Sequence, residues 1–569
     1  MSEDPAIRPT GLRDRLRSWY RSLDPLGRQR LRAAIGLGGA LIALLCFLLW
    51  SDPGSVDPVP ATPAQGGMDW IRKAVTINAI LVAILLLTSP AWVGWAYAPA
   101  VESPPRIGRP VAKLSIFFLL VALTIAICLR LPLMDRPIQE TELDHLSQRI
   151  HGYTDLLDDG SSRWRPVRWG QVFCASPLRN QPILATASAK ASLDWWRWTT
   201  GLEENRFHPV PIRLPSLIAG LASIVLLWRM LHWFGYRCAA LFAAFFFSIH
   251  PAAIELDVGV GSASLSIFFE LLALSAAYLA LRTLKWRYWS LYGASTLLCL
   301  YANPGGIYLF ITTSLCLAIY LFRRVWQVRT RAAAWPQLVR FGLVSLLVAM
   351  GLLFVSAPAG DHLREAKSLA TSNSKEIDRH WSTLSWQYLT IGTPLPSFPA
   401  TSSPGDQLVG PARWIASSLV SPALLLVGLL RLVRGNRFAT PLVLGAVTAT
   451  ALAGSHMWLT TFQPPSSWQL ALALPTFILL FSIGLTSLSD LVSDKKLRPY
   501  CILASGAGYL VFFSLITRVE EEPSSTQSES DTQDPVEFQR KQFRWRCYDD
   551  GRITREPSHA TNGSVPTRN

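Results

Sequence analysis

The chain has 569 residues, 50% of them hydrophobic and only 16% charged, against roughly 25% charged in soluble globular proteins. So low a charged fraction requires long uncharged stretches, which excludes an ordinary soluble enzyme. The net charge of +15 sits in short segments between apolar runs, a distribution that orients a membrane protein and does not mark a nucleic-acid-binding surface.

Residues 1–32 are polar and arginine-rich (Arg8, Arg13, Arg15, Arg17, Arg21, Arg28, Arg30, Arg32) and read as a cytoplasmic N-terminus. The apolar run Ala33–Trp50 is too long for the core of a signal peptide and has no small-residue cleavage site behind it. It is expected to be a retained span. Bilayer hydrocarbon is about 30 Å thick and takes roughly 20 helical residues to cross. Continuous, non-alternating apolar runs favour helices over a barrel. On that basis spans are expected at 74–96, 112–129, 213–231, 238–254, 263–282, 289–302, 306–322, 338–357, 412–432, 439–456, 467–489 and 499–517, about thirteen in all. The fold class is therefore an all-α, polytopic membrane protein. The 289–302 run is short and ends at Asn303-Pro304-Gly305-Gly306.

With the N-terminus inside, the inner loops are Arg106–Lys113, Arg282–Arg287, Arg323–Arg340, Arg431–Arg437 and Lys495–Arg498, each basic. The outer segments Ser51–Ile71, Arg130–Ile212, Ala357–Val409 and Leu459–Ser467 are acidic, mixed or nearly uncharged. One alternation fits every loop and places the C-terminus outside the cytoplasmic membrane. The first outer loop, 130–212, is too polar to be embedded. Within it Leu184–Trp198, with Trp195, Trp196 and Trp198, suits an amphipathic helix lying at the interface. The second outer loop is 357–409 and carries Trp381 and Trp386. The tail 518–569 is polar and reads as largely disordered, with a more ordered, basic and aromatic stretch at Phe538–Tyr548.

The eight cysteines show no CxxC spacing, and His145, His208 and His250 have no metal-ligand spacing, so no metal site is indicated. Cys174 and Cys547 both fall in outer polar segments, which leaves a disulfide between them open. Glu270 is the acid deepest in an apolar run. Such a residue carries either a function or a helix–helix hydrogen bond.

The order of several short motifs is informative. One apolar run ends at Leu129, before Arg130-Leu131-Pro132-Leu133-Met134-Asp135-Arg136-Pro137-Ile138-Gln139-Glu140-Thr141-Glu142. After the large loop come Ile212-Arg213-Leu214-Pro215-Ser216-Leu217-Ile218-Ala219-Gly220, then Phe234-Gly235-Tyr236-Arg237, then Ser248-Ile249-His250-Pro251 at the end of the next run. In this order they resemble the GT-C fold, and within it the family of protein O-mannosyltransferases, lipid A aminoarabinose transferases and related bacterial enzymes. The resemblance covers 112–325, with 33–111 as a two-span extension and 326–517 sharing only architecture.

The resemblance implies that a sugar moves from a polyprenyl-phosphate donor to an acceptor at the outer membrane face. An acid in the first outer loop would be the general base, and basic residues at the interface would hold the donor phosphate. Carried onto this chain, the catalytic candidate is Glu142, flanked by Glu140 and Asp144. The phosphate candidates are Arg130, Arg136 and Arg213, and Glu255 and Asp257 are secondary acids. No cofactor is implied; the partners are membrane lipids and the lipid-linked donor. The family's Asp-Glu pair falls on Thr141-Glu142, keeping only the Glu. A family stretch bearing one Glu and two Arg falls on Asp257-Val258-Gly259-Val260-Gly261-Ser262-Ala263-Ser264, which has neither. A third family stretch, beginning with His, becomes Asn180-Gln181-Pro182-Ile183-Leu184.

Against these roles stand plainer ones: solvated loop acids, and arginines snorkelling at a helix end. Two rival functions follow. One is a GT-C-like scaffold without catalysis in envelope glycan assembly. The other is a transporter, disfavoured by the absence of an internal repeat.

Overall fold

The structure is a computed structural model. It describes residues 18–50, 64–97, 112–138, 142–143, 146–156, 161–169, 172, 183–328, 330–356, 389, 419–460, 470–488, 536–540, 543–547 and 553–557. In chain order the elements are α1 Pro25–Trp50, α2 Ala64–Leu87, α3 Ser89–Ala96, α4 Lys113–Arg130, β1 Gly152–Leu156, β2 Ser162–Pro166, α5 Ile183–Thr200, α6 Pro209–Phe234, α7 Arg237–Ile249 and α8 Pro251–Val258. They continue as α9 Ala263–Thr283, α10 Trp286–Ala302, α11 Gly306–Trp326, α12 Arg331–Ser356, α13 Ser421–Gly435, α14 Thr440–Thr460, α15 Leu474–Leu488, β3 Val536–Arg540, β4 Phe543–Cys547 and β5 Ile553–Pro557.

The protein is a helical, multi-pass membrane protein. Among the described residues six helices are long and apolar enough to cross a membrane, or up to eight if each of two bent helix pairs is one span. The expected thirteen are not reached among these residues. The run 499–517 lies outside them, and α10, α13, α14 and α15 fall outside that count. Two of the expected single spans are bent. The 74–96 run breaks by 68° between α2 and α3, and the 238–254 run by 59° between α7 and α8. Both breaks coincide with a proline, Pro90 and Pro251, at the start of the second helix. Proline lacks the N–H that would continue the ladder, and at the second break it also pushes the residue before it, His250, to extended geometry.

The chain forms two compact units, residues 1–104 with 318–360 and residues 105–317 with 361–569. The expected two-span extension thus belongs with α12. In that unit Asn78 donates to the Met350 carbonyl at 2.9 Å and Arg340 to the Ala96 carbonyl at 2.8 Å. Ile71, Ala74 and Val75 pack on Leu44, Phe47 and Phe354.

In the second unit, the Phe234-Gly235-Tyr236-Arg237 motif is the turn between α6 and α7. Gly235 takes φ +95°, the left-handed helix cap that glycine tolerates, and Tyr236 N–H reaches back to the Leu231 carbonyl at 2.9 Å. The same turn is tied to the one after α13: Tyr236 donates to the Arg431 carbonyl, and Asn436 to the Phe234 carbonyl at 3.0 Å.

Above the helices the first large loop builds a cap. α5 buries Ala185, Ala189 and Leu193 while Trp195 and Trp198 are 55% and 82% exposed, the amphipathic pattern of an interfacial helix. A five-stranded sheet runs β2-β1-β5-β4-β3. β1 pairs antiparallel with β2 and parallel with β5, in the register Thr154↔Thr554. Three strands therefore come from the tail that the sequence presents as largely disordered. Ile138, Leu143, Leu146, Ile150, Leu193, Phe207 and Ile212 form the core of the cap, together with Ile553.

Candidate functional site

The site grows from the break between α7 and α8. Pro251 has no N–H, so the Phe247 carbonyl loses its helical donor. Arg130, the last residue of α4, fills that place. Its Nη2 donates to the Phe247 carbonyl at 3.2 Å and its Nη1 to the Ser248 carbonyl at 2.6 Å. Its Nε donates to Asp257 Oδ2 at 2.7 Å, and Ser264 Oγ donates to Asp257 Oδ1 at 2.6 Å. Arg130 and Asp257 are both fully buried. The pair also explains the glycine of the Ala219-Gly220 motif in α6. A Cβ at Gly220 would lie 2.2 and 2.3 Å from the two carboxylate oxygens of Asp257.

A second pair is met by the backbone three residues after Asp257, at Val260. Glu142 Oε2 accepts from Arg213 Nη2 at 2.7 Å, and Glu142 Oε1 accepts from the Val260 N–H at 2.9 Å. Arg213, fully buried in the first turns of α6, also donates to the carbonyls of Met134 and Arg136 at 2.9 and 2.7 Å and of Pro137 at 3.3 Å. One guanidinium thus staples the start of the loop, its acid and the head of α6. Removing one partner of a buried pair leaves an uncompensated charge and costs about 3–5 kcal/mol.

Arg136 differs from both. Its side chain is 24% exposed, it lies 3.9 Å from Glu142 Oε1, and its Nε has no hydrogen-bond partner among the described residues. Burial pulls its pKa below the ordinary arginine value. The Glu142 carboxylate opposes this, Arg213 adds to it as a like charge, and Glu255 opposes it. Glu255 is exposed on α8. Arg136 and Glu255 are therefore the accessible charges, above the buried Glu142–Arg213 pair. A small cleft next to the Val260 amide is lined by Ile150, Thr186, Ile212, Ser216 and Gly261.

The structure thus brings together Glu142, Arg136, Arg213 and Glu255, with Arg130 and Asp257 beneath the helix break. Glu140 and Asp144 lie outside the described residues, as do His145, Cys174, Trp381 and Trp386. Cys547 is in β4, and its pairing with Cys174 therefore lies outside what is described. His208 caps α6, its Nδ1 accepting from Val210 N–H at 3.3 Å, and His250 is buried against the Leu389 carbonyl. Among the described residues no group of histidine, cysteine and acidic side chains could hold a metal ion. Glu270 is fully buried in α9, about 10 Å along the helix from Ala263, and neither carboxyl oxygen has a hydrogen-bond partner among the described residues.

Sequence reasoning did not find Val260, Ser264 or the carbonyls of Phe247 and Ser248. The only signal for the latter was Pro251, which frees a carbonyl four residues before it.

No protein-family model matches the chain, and no characterised protein matches it by sequence. Among solved structures it is similar to the oligosaccharyltransferase AglB from Archaeoglobus fulgidus, in complex with an inhibitory peptide and a dolichol-phosphate. The identity is 12% and the TM-score 0.42, over 72% of this chain and 56% of that one. A second structure of the Archaeoglobus fulgidus oligosaccharyltransferase, with zinc and sulfate, overlaps at 14% identity and TM-score 0.41, over 70% of this chain and 52% of that one. The arabinosyltransferase EmbB from Mycobacterium smegmatis overlaps at 13% identity and TM-score 0.35, over 80% of this chain and 45% of that one. The chain spans about half the length of the structures it matches.

Proposed function

We propose that this protein is a membrane glycosyltransferase, moving a sugar from a polyprenyl-phosphate donor to a lipid, glycan or protein acceptor outside the cytoplasmic membrane. The observation that carries the reading is the position of Glu142. A carboxylate from the 130–212 loop is held at the ends of α4 and α6, beside a partly exposed arginine whose Nε has no hydrogen-bond partner among the described residues. In the reaction the acceptor oxygen forms a bond to the anomeric carbon as the bond from that carbon to the phosphate oxygen breaks, with inversion. The acceptor proton passes to Glu142, and the polyprenyl phosphate leaves with its negative charge facing Arg136. Arg130 and Arg213 hold the helix break and the loop in place. The apolar helix faces receive the lipid tail.

A second reading has its own observation. Each oxygen of Glu142 already accepts a hydrogen bond, from Arg213 and from Val260, and Thr141 stands where the resembled family has an Asp. On that reading the carboxylate only fastens the loop, and the chain is a scaffold in envelope glycan assembly.

The test is sugar transfer in membranes holding the wild-type protein, supplied with radiolabelled polyprenyl-phosphate sugars and an envelope extract. Transfer above that of membranes lacking the chain supports the enzyme. No transfer from any donor by folded, inserted protein supports the scaffold.

A further inference from the structure

The tail and the first outer loop are far apart in sequence, yet they share one sheet and one core. β5 is the central strand, with the β1–β2 hairpin on one side and the β3–β4 hairpin on the other. An isolated two-stranded hairpin is marginal in water. β5 gives β1 a second neighbour and closes an edge that would otherwise be open. Ile553, at the head of β5, is fully buried in the core of the cap. Two other members of that core, Leu143 and Ile212, are the chain neighbours of Glu142 and Arg213. The buried side chain of β5 thus packs into the layer that carries both partners of the Glu142–Arg213 pair.

We propose that Ile553–Pro557 is a positioning element for the Glu142 loop, and that this segment lies on the same membrane face as residues 130–212. The first part rests on the proposed role of Glu142 for its functional meaning; the second does not. One sheet cannot straddle a bilayer, so the chain must cross an even number of times from the start of α6 to β3, α6 included. The spans expected from the sequence, from 213–231 to 499–517, have that parity.

The test uses the full-length protein in membrane vesicles, with Cys174 and Cys547 replaced by serine. Thr154→Cys and Thr554→Cys, opposite each other in the parallel register, are treated with a short membrane-impermeant bis-maleimide. Mass spectrometry should find the two peptides joined. If both thiols take up a simple maleimide but no joined peptide forms, the docking is overturned. Hydrogen exchange then tests positioning without any need for sugar transfer. Ile553→Asp should speed amide exchange in 142–150 by about tenfold or more, and Ile553→Val should restore the wild-type rate. Unchanged exchange in Ile553→Asp overturns the positioning role. The two readings separate in the transfer assay. Loosened exchange with full transfer would retain the strap and refute Glu142 as the base. Tight exchange in Ile553→Asp, with transfer lost only in Glu142→Gln, would do the reverse.

Discussion

Two buried arginine–carboxylate pairs fasten different parts of the second unit. Arg130–Asp257 is sealed: both side chains are fully buried, and the arginine also donates to the Phe247 and Ser248 carbonyls at the proline break and to the Ala126 carbonyl of its own helix. Arg213–Glu142 is equally close, at 2.7 Å, but fastens a loop and lies under the more accessible Arg136 and Glu255. A buried pair is thus not in itself a sign of chemistry. What distinguishes the second is the more accessible charge beside it, which the proposed reaction requires.

The largest expected effect comes from breaking the sealed pair. Arg130→Met should destabilise the detergent-solubilised protein by about 3–5 kcal/mol in thermal unfolding. The double change Arg130→Met with Asp257→Leu should recover much of that loss, though not all, because the Phe247 and Ser248 carbonyls lose their donor. Recovery of sugar transfer along with stability would confirm that this pair only holds structure. The matching double change at Arg213 and Glu142 should recover stability without transfer, which is the sharpest form of the contrast. Next is Gly220→Ala, which forces a methyl into the Asp257 carboxylate and should cost about 1–3 kcal/mol by the same unfolding measurement. Arg136→Ala should leave folding unchanged while raising the KM for the lipid-linked donor about tenfold, as befits a lost charge-assisted phosphate contact. The smallest effect is at Glu270. Its carboxyl has no hydrogen-bond partner among the described residues, so Glu270→Gln should shift stability by no more than about 1 kcal/mol and leave transfer intact.

Composition and the spacing of apolar runs were enough to read the membrane fold, since they reflect a solvent constraint acting on whole segments. The motifs around Arg213, Gly220 and Gly235 were legible as motifs, and the structure supplies their causes: a staple, a close approach and a left-handed cap. Pro251 was visible, yet 238–254 still read as one straight span, because hydropathy is blind to a missing N–H. The partners of Arg130 and Glu142 were not legible at all. Asp257 lies 127 residues from Arg130, and the Val260 donor is a backbone amide, which no side-chain pattern announces. β3 and β4 fall largely on Phe538–Tyr548, the stretch that reads as more ordered, but β5 escaped because a polar segment that borrows another segment's core has little hydrophobic pattern of its own.

The most direct test of the central claim is the rate of sugar transfer by the wild type against Glu142→Gln, compared at equal amounts of inserted protein and with the unfolding temperature checked in parallel. The glutamine variant is expected to stay inserted but to lose up to about 3–5 kcal/mol of stability, because Arg213 keeps a hydrogen bond without its counter-charge, and to lose transfer by about 100-fold or more per folded molecule, as removal of a general base requires. Equal transfer by the two proteins would contradict it and leave Glu142 as a fastening for the loop.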